Sequence, residues 1–346
     1  MMRRWTMAFF GVAEAAALAT VAWLAQAAPA ATATPAPAAG AVPVFGNAFD
    51  EATARQKLAQ LEKIKDLLLV NSGKKPDDLQ GLRKWDFTDS KGKTRQAKVF
   101  VPKAYDPASA RQKFPLVIVV NSWDFRVFFM PEFQEIFPCF GVMVESLSHN
   151  WVSGPWDRGT TTFDKEPIWE MQHFLDLLDY VLKEYPGIDR QRIYATGNSR
   201  DAFFCWDLAA RRPDLIAAIL PVAGGGDPHM ANLYIDKGVW AFHGTQDPVV
   251  PTKGSRDMIA AIKAAARAAG RNEQHISRMT RLTELTAGHD VWNSVYSRPD
   301  VYLWLFSHRL KANGQAQTPP APKTAATQGT ATEATAHDPH FNDKAL

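Results

Sequence analysis

A serine lies where an apolar segment of the chain gives way to a helical one. Ser199 occurs in the run Gly197-Asn198-Ser199-Arg200-Asp201, between an apolar segment at residues 193–196 and a helical pattern at residues 202–211. A sharp strand-to-helix turn raises a serine hydroxyl above the edge of a sheet, beside the first backbone amides of the helix. Ser199 is therefore a candidate nucleophile, with the backbone N–H of Arg200 available to an oxyanion. The alternative is that Ser199 only caps the helix.

A carboxylate and an imidazole follow two later strand-like segments. Asp247 comes after residues 239–242 and precedes Pro248, and His289 comes after residues 282–285. Taken singly, Asp247-Pro248 is a turn signal and His289 is a surface histidine. A carboxylate can, however, orient an imidazole, which then takes the proton of a serine hydroxyl. Together with Ser199 the two residues predict a nucleophile, a base and an orienting acid, and Ser199 Oγ should then lie about 2.6–3.2 Å from a His289 nitrogen.

These side chains need strands to position them, and short apolar segments alternate with helical ones along the chain. An apolar segment without polar alternation indicates a strand covered on both faces, as in a parallel sheet between helices. Right-handed crossovers place such strands in one open sheet, whose carboxyl ends share an edge. The predicted strands are residues 116–120, 142–144, 193–196, 217–222, 239–242 and 282–285, and the predicted helices are residues 169–184, 202–211, 252–269 and 301–307.

Two further elements precede this alternating region. Residues 52–70 carry leucines and an isoleucine on one face, which predicts an amphipathic helix. Residues 85–88 and 95–101 flank Asp89-Ser90-Lys91-Gly92, which is typical of an antiparallel hairpin. The predicted fold class is α/β: a mostly parallel open sheet with helices on both faces and an antiparallel N-terminal hairpin, in a domain spanning residues 50–310.

The two ends of the chain have compositions that do not build a core. Arg3-Arg4, an apolar stretch and Ala25-Gln26-Ala27 predict a signal peptide at residues 1–27. Glu14 in the apolar stretch disfavours the alternative, an uncleaved membrane anchor. Residues 28–49 are an Ala/Pro/Thr-rich linker, and residues 311–346 are a low-complexity tail that we expect to be disordered. We therefore expect a secreted or periplasmic protein with no stable membrane insertion after signal cleavage.

Composition excludes several classes of protein. The chain has 346 residues, of which 46% are hydrophobic, so it can build a core and is not disordered throughout. The 39 Lys and Arg against 36 Asp and Glu leave a net charge of +3, which does not indicate a nucleic-acid partner. Cys139 and Cys205 are the two cysteines, too few for a disulfide-built fold or a cysteine-only zinc site. In an exported protein a single disulfide between Cys139 and Cys205 is possible, and the sequence does not decide whether it forms.

Several segments around the candidate residues carry a resemblance to a known family. They are Ile188-Asp189 with Arg192-Ile193-Tyr194, Thr196-Gly197-Asn198-Ser199, Trp206-Asp207-Leu208-Ala209, residues 221–226, residues 242–251 and Gly288-His289-Asp290. Through these segments, residues 98–310 resemble α/β-hydrolases of the secreted esterase, polyhydroxyalkanoate-depolymerase and prolyl-oligopeptidase-like group. The resemblance implies the α/β-hydrolase fold, with Ser199 as nucleophile, His289 as general base and Asp247 as its orienting acid. It also implies an oxyanion hole formed by the backbone N–H groups of Arg200 and Trp123.

The chain departs from the pattern of that family in two segments. The family has glycine two residues after the serine, where this chain has Asp201. The family usually has His-Gly after the third strand, where this chain has Asn121-Ser122. Both departures concern the oxyanion hole, and they favour an alternative interpretation, a catalytically impaired binding protein on the same fold. A peptidase of the same fold is the second alternative.

Aromatic side chains occur in the loops that border the active site in this fold. Trp151, Trp156 and Trp292 are candidate substrate-binding residues, and Trp123, Phe125, Phe128, Phe129 and Trp169 fall in the same loops. Such a mouth suits sugars, aromatic acids or polyester surfaces, and the alternative is that these side chains pack in the core or in a lid. His243 is expected to be structural, because His289 already serves as the base, and Gly224-Gly225-Gly226 is expected to form a turn.

The sequence thus predicts an exported serine hydrolase that cleaves carboxylic esters through an acyl-enzyme on Ser199. This reaction requires no metal and no organic cofactor. The expected partner is a small-molecule or polymer-borne ester substrate, with no nucleic acid involved. The sequence does not predict the acyl or alcohol group of the substrate, or the oligomeric state.

Overall fold

The computed structural model describes residues 48–68, 79–109, 111–120, 126–144 and 159–311. One sheet of eight strands runs through these residues in the order β1-β2-β4-β3-β5-β6-β7-β8. The strands are β1 (Leu82–Thr88), β2 (Thr94–Phe100), β3 (Phe114–Val120), β4 (Phe140–Val144), β5 (Ile188–Asn198), β6 (Ile216–Val222), β7 (Gly238–Gly244) and β8 (Thr280–Leu285).

The helices lie on both faces of the sheet. They are α1 (Glu51–Lys63), α2 (Pro131–Ile136), α3 (Trp169–Glu184), α4 (Arg200–Arg211), α5 (Lys253–Ala268), α6 (Glu273–Met279), α7 (Trp292–Tyr296) and α8 (Pro299–Phe306). No described helix has both the length and the apolar character needed to cross a membrane.

The strand pairing agrees with the predicted fold class. β1 and β2 form an antiparallel hairpin in which Leu82 pairs with Phe100 and Thr88 with Thr94. β2 is antiparallel to β4, and the remaining neighbours pair in parallel. The prediction of a mostly parallel sheet with an antiparallel N-terminal hairpin is therefore confirmed. All six parallel strands lie at the predicted places, with ends that differ by a few residues.

The central strands are apolar without interruption because both of their faces are covered. Along β3, Leu116 and Ile118 belong to a core cluster shared with α3, α4 and α5. The intervening residues Val117 and Val119 belong to a second cluster, which includes side chains of α1, α2 and α8. Successive strand side chains point to opposite faces, so a strand between two helical layers has no polar side.

The N-terminal helix is shorter than predicted, and several short helices were not predicted. α1 ends at Lys63 and is followed by a 3₁₀ turn at Lys65–Leu67, while residues 69–78 lie outside the described part of the chain. Leu61 and Leu68 are buried, but Leu67 is 40% exposed and is not on the core face. α2, α6, α7 and a 3₁₀ helix at Pro228–Tyr234 have seven residues or fewer, which is too short for a clear helical period.

The two cysteines do not form a disulfide. Both are free and buried. Cys139 packs in the cluster on one face of the sheet and Cys205, on α4, packs in the cluster on the other face. Burial raises the pKa of the Cys139 thiol to about 12. The pairing left open by the sequence is therefore excluded, because the sheet lies between the two thiols.

The predicted signal peptide at residues 1–27 and the tail from residue 312 onward lie outside the described residues. So does the linker, apart from its last two residues, Ala48 and Phe49. Their assignments stay predictions.

Candidate active site

Ser199 lies at a strained turn between β5 and α4. Its φ of 54° and ψ of −122° are in a region that residues other than glycine rarely adopt. The turn is held by hydrogen bonds from the Ser199 amide to the Val222 carbonyl at 2.7 Å and from the Ala202 amide to the Ser199 carbonyl at 2.9 Å. Although Ser199 occupies the N-cap position of α4, its side chain makes no capping hydrogen bond. The hydroxyl is therefore available to another partner.

Two glycines allow the close packing of this turn. A Cβ on Gly197 would lie 2.7 Å from the carbonyl oxygen of Asp201 and 2.8 Å from its Cβ. A Cβ on Gly224, after β6, would lie 3.0 Å from the Ser199 carbonyl oxygen. Asp201 occupies the position where the family that the sequence resembles has glycine, and it packs closely against Gly197, which has no side chain. The departure noted in the sequence is thus accommodated, with the Asp201 side chain buried and its Oδ1 3.7 Å from Nε of Arg200.

Asp247 is fixed by the backbone of its own loop, which follows β7. Its Oδ1 accepts hydrogen bonds from the amides of Val249 at 2.8 Å and Val250 at 2.9 Å, and its side chain is fully buried. Burial alone would raise the pKa of this carboxyl group. The hydrogen bonds from His289 and from the Val250 and Val249 amides outweigh burial and hold the pKa below 3.8. Asp247 is therefore an oriented carboxylate.

His289 lies between the carboxylate and the serine. Its Nδ1 is 2.7 Å from Oδ2 of Asp247, and its Nε2 is 2.9 Å from Oγ of Ser199. An ionised carboxylate only accepts hydrogen bonds, so Nδ1 carries the hydrogen, and Nε2 presents a lone pair to the serine hydroxyl. The loops that bear the two residues are joined, because the Gln246 amide donates to the Ala287 carbonyl at 3.0 Å. The serine–histidine distance lies within the expected range, and Asp201 does not occupy the gap.

The structure describes some of the other predicted site residues. Arg200 is the first residue of α4, so its amide belongs to the turn at Ser199. Trp292 is the first residue of α7, and its ring lies 5.6 Å from the His289 ring at an angle of 87°. Trp123, Trp151 and Trp156, as well as Asn121 and Ser122, lie outside the described residues.

Three of the expected mouth residues are not at the mouth. Phe128 and Phe129 are buried in the core cluster next to α2 and α8. Trp169, at the start of α3, donates through Nε1 to Oδ2 of Asp89 at 3.2 Å and stacks on the Arg95 guanidinium. Large aromatic rings gain more free energy by complete burial than by lining an open pocket, so proximity to a strand end does not determine their role.

One contact of Asp247 was not foreseen. His243, near the end of β7, is fully buried, and its Nε2 lies 3.2 Å from Oδ2 of Asp247. Its Nδ1 lies 2.7 Å from Oγ of Ser255, on α5. From the sequence, His243 was expected to be structural, and Ser255 was not a candidate residue. A lone serine inside a helical segment carries no signal of such a contact.

Metal ligation has no support in this part of the molecule. Within the described residues, no group of three or more His, Cys, Asp or Glu side chains is placed to hold a metal ion. The polar groups that face one another at Ser199 form a hydrogen-bonded row, which can move a proton from the serine to the imidazole.

Comparisons with known proteins give matches among solved structures only. No family model matches the sequence, and no curated protein matches it. A thermostable esterase matches with 24% identity and a TM-score of 0.55, over 66% of this chain and 64% of that chain, less than two thirds of the esterase. A ferulic acid esterase matches at 16% identity and a TM-score of 0.44, over 65% of this chain and 98% of its own. An acylaminoacyl peptidase from Pyrococcus horikoshii matches at 12% identity and a TM-score of 0.43, over 66% of this chain and 40% of the peptidase chain.

The thermostable esterase shares with this chain an architecture that the strand order and pairing described above define. The chain therefore has the α/β-hydrolase fold, as its resemblance to that superfamily implied.

Proposed function

We propose that this protein is a serine hydrolase that cleaves carboxylic esters through an acyl-enzyme on Ser199. The observation that carries the proposal is the continuous row from Asp247 Oδ2 through His289 to Ser199 Oγ, with separations of 2.7 and 2.9 Å. The strained φ of Ser199 supports the proposal, because strained backbone conformations cluster at active sites, where the surrounding structure holds a reactive side chain in place.

In the proposed reaction, Ser199 Oγ attacks the ester carbonyl carbon while His289 Nε2 takes the hydroxyl proton. The carbonyl oxygen becomes an oxyanion, which the backbone N–H groups of Arg200 and Trp123 are proposed to bind. Asp247 stabilises the imidazolium that forms. The carbon–oxygen bond to the alcohol then breaks, and His289 returns the proton to the leaving alcohol. Water attacks the acyl-enzyme by the same route and releases the acid and free Ser199.

The choice of an ester rather than a peptide rests on the esterase among the structures of the same fold. The Trp292 ring beside His289, together with Trp151 and Trp156, is proposed to contact the substrate. Hydrolysis of aryl acetates, compared with hydrolysis of N-acyl amino-acid anilides, separates the esterase from the peptidase alternative.

Covalent labelling with a fluorophosphonate tests the proposal directly. We expect the wild-type protein to be labelled on Ser199, as read by the mass of the peptide that contains it, and the Ser199→Ala variant to be unlabelled. Ser307→Ala is a control for loss of a serine hydroxyl elsewhere in the domain, because Ser307 is buried and donates to the Trp304 carbonyl at 2.7 Å. A folded wild-type protein that does not label would refute the proposal and favour a non-catalytic binding protein.

We also propose that the protein is exported to the periplasm or the exterior of the cell. The support is the basic, apolar and small-residue pattern of residues 1–27. N-terminal sequencing of the protein from its native source should find a chain that begins at Ala28. Recovery of the chain with Met1 intact would contradict signal cleavage and favour the anchor.

A further inference from the structure

A second histidine faces the Asp247 carboxylate from inside the protein. Nε2 of His243 donates to the Val250 carbonyl at 3.0 Å and lies 3.2 Å from Oδ2 of Asp247. A nitrogen that donates to a carbonyl oxygen carries a hydrogen, so the positive end of this N–H is directed at the carboxylate as well. Oδ2 of Asp247 therefore lies between two imidazoles, that of His289 toward the serine and that of His243 toward the core.

Ser255 fixes the tautomer of His243. Burial lowers the pKa of His243 below 6.5, so the ring is neutral at neutral pH and only one of its nitrogens carries hydrogen. Because Nε2 is that nitrogen, Nδ1 must accept, and Ser255 Oγ donates to it at 2.7 Å. Without this donor, the Nδ1–H tautomer would become accessible, and a bare Nε2 would then face two oxygen atoms.

The same group of atoms reaches the turn that bears the nucleophile. Ser255 Oγ lies 3.0 Å from the Gly224 carbonyl oxygen. Because its single hydrogen is donated to His243 Nδ1, this is a close contact, and the Gly224 carbonyl accepts from Nε1 of Trp206 at 3.0 Å. A Cβ on Gly224 would lie 3.0 Å from the Ser199 carbonyl oxygen, so this loop packs directly on the serine turn. His243 and Ser255 thus join the loop of the acid to the loop beneath the serine.

We propose that His243 is a positioning residue of the active site: its Nε2–H holds the Asp247 carboxylate and the Val250 carbonyl, and Ser255 fixes the tautomer that makes this contact. The inference rests on the proposed function, because it assigns His243 a role toward the same reacting serine. His243 touches neither the substrate nor the reacting atoms. It acts through Asp247.

The contact between His243 and Asp247 affects the pH dependence of the reaction. The ionisable groups that face His243 are Asp247, on the loop after β7, and His289, on the loop after β8. When the His243 N–H is removed, Oδ2 of Asp247 shares its negative charge with one donor fewer. The carboxylate charge that faces His289 is then less compensated, so we expect the acid limb of the pH profile of labelling to move to higher pH.

Two amide variants separate positioning from packing. In His243→Gln the terminal nitrogen reaches the place of Nε2, so it can still donate to Asp247. In His243→Asn the shorter amide reaches only the place of Nδ1, and the contact with Asp247 is lost. The measurement is the second-order rate constant of fluorophosphonate labelling between pH 5 and 9, with folding checked by thermal unfolding of each variant.

We expect His243→Asn to lose about 10- to 100-fold in the plateau rate, the range for a hydrogen bond to a charged group. We also expect the acid limb of its pH profile to move to higher pH. His243→Gln should keep the wild-type profile and most of the wild-type rate. Equal losses in both variants with an unmoved acid limb, or an unchanged rate in His243→Asn, would overturn the inference.

If His243→Asn fails to fold, Ser255→Ala carries the test, compared with the buried-serine control Ser307→Ala. A slower rate and a raised acid limb in Ser255→Ala alone support the inference, and identical profiles in the two variants overturn it. Failure of the wild-type protein to label refutes the proposed function itself. A labelled wild-type protein with unaffected variants refutes only the role of His243.

Discussion

Replacement of Asp247 by asparagine is the change whose effect the structure determines most closely. Oδ1 of Asp247 accepts from two backbone amides, those of Val249 and Val250. An asparagine must therefore place its oxygen there and its NH₂ group at the position of Oδ2. That NH₂ group would donate to Nδ1 of His289, and the hydrogen of the imidazole would move to Nε2.

A His289 in this tautomer directs an N–H at Ser199 and cannot take the serine proton. In a serine-protease triad, the same exchange lowers the turnover rate by about 10⁴-fold. We expect a comparable loss here, equivalent to about 5.5 kcal/mol of transition-state stabilisation. The NH₂ group would also meet the N–H of His243, whose Nε2 lies 3.2 Å from the present Oδ2. The opposite orientation of the amide would direct the NH₂ group at two backbone N–H donors instead of one, so it is less favourable and does not restore the base.

The assay is the rate of fluorophosphonate labelling, and of aryl acetate hydrolysis, for the wild-type protein and for Asp247→Asn. Asp227→Asn is the matched control, because Asp227 also accepts from backbone amides, those of His229 and Phe163, each at 2.9 Å. The control should keep the wild-type rate. An Asp247→Asn variant within about tenfold of wild type would refute the reasoning, because the tautomer argument requires a loss of about 10⁴-fold.

Two further predictions concern stability and packing. Burial lowers the pKa of His308 from 6.5 to about 4, so the unfolded chain takes up a proton below pH 6.5 that the folded protein refuses. Wild-type stability should then fall by up to about 1.4 kcal/mol per pH unit between pH 6.5 and 4, relative to His308→Gln, as measured by urea unfolding; parallel curves would contradict this. Gly224→Ala should lower both Tm and labelling rate, because its Cβ would lie 2.8 Å from Cβ of Ala202, whereas Gly288→Ala, with open space around it, should keep the wild-type Tm. Equal Tm values for the two glycine variants would show that the loop after β6 can move away.

The elements that could be predicted from the sequence are those whose pattern is local. β3, β6 and β7 are apolar at nearly every position because both faces are covered, and such runs identify themselves. The helix at Trp169–Glu184 begins and ends at the predicted residues, since sixteen residues give the helical period time to repeat. Helix α2 has six residues and α7 has five, which are too few for the helical period to repeat.

The candidate site divides in the same way. Ser199, Asp247 and His289 each follow a recognisable strand, so their proximity could be predicted from strand order alone. The contact between His243 and Ser255 joins strand β7 to helix α5, which packs on the sheet. No sequence pattern in either segment predicts this contact. The roles of the aromatic residues were the hardest to predict. Phe128 and Trp292 both occur in segments that follow a strand, but Phe128 is buried and Trp292 lies against His289.

Asp201 shows why a departure from a family pattern has to be judged with its neighbours. The position two residues after the serine packs against the end of the preceding strand. The two segments are so close that there is room for a Cβ on one of them but not on both. Here the strand has Gly197, and the Cβ of Asp201 occupies the space that a side chain at residue 197 would need. The carboxylate also lies in the first turn of α4, where a negative charge is stabilised by the helix dipole, and the Arg200 guanidinium lies 3.7 Å away. Asp201 is thus compatible with the strained turn at Ser199 that the proposed reaction requires.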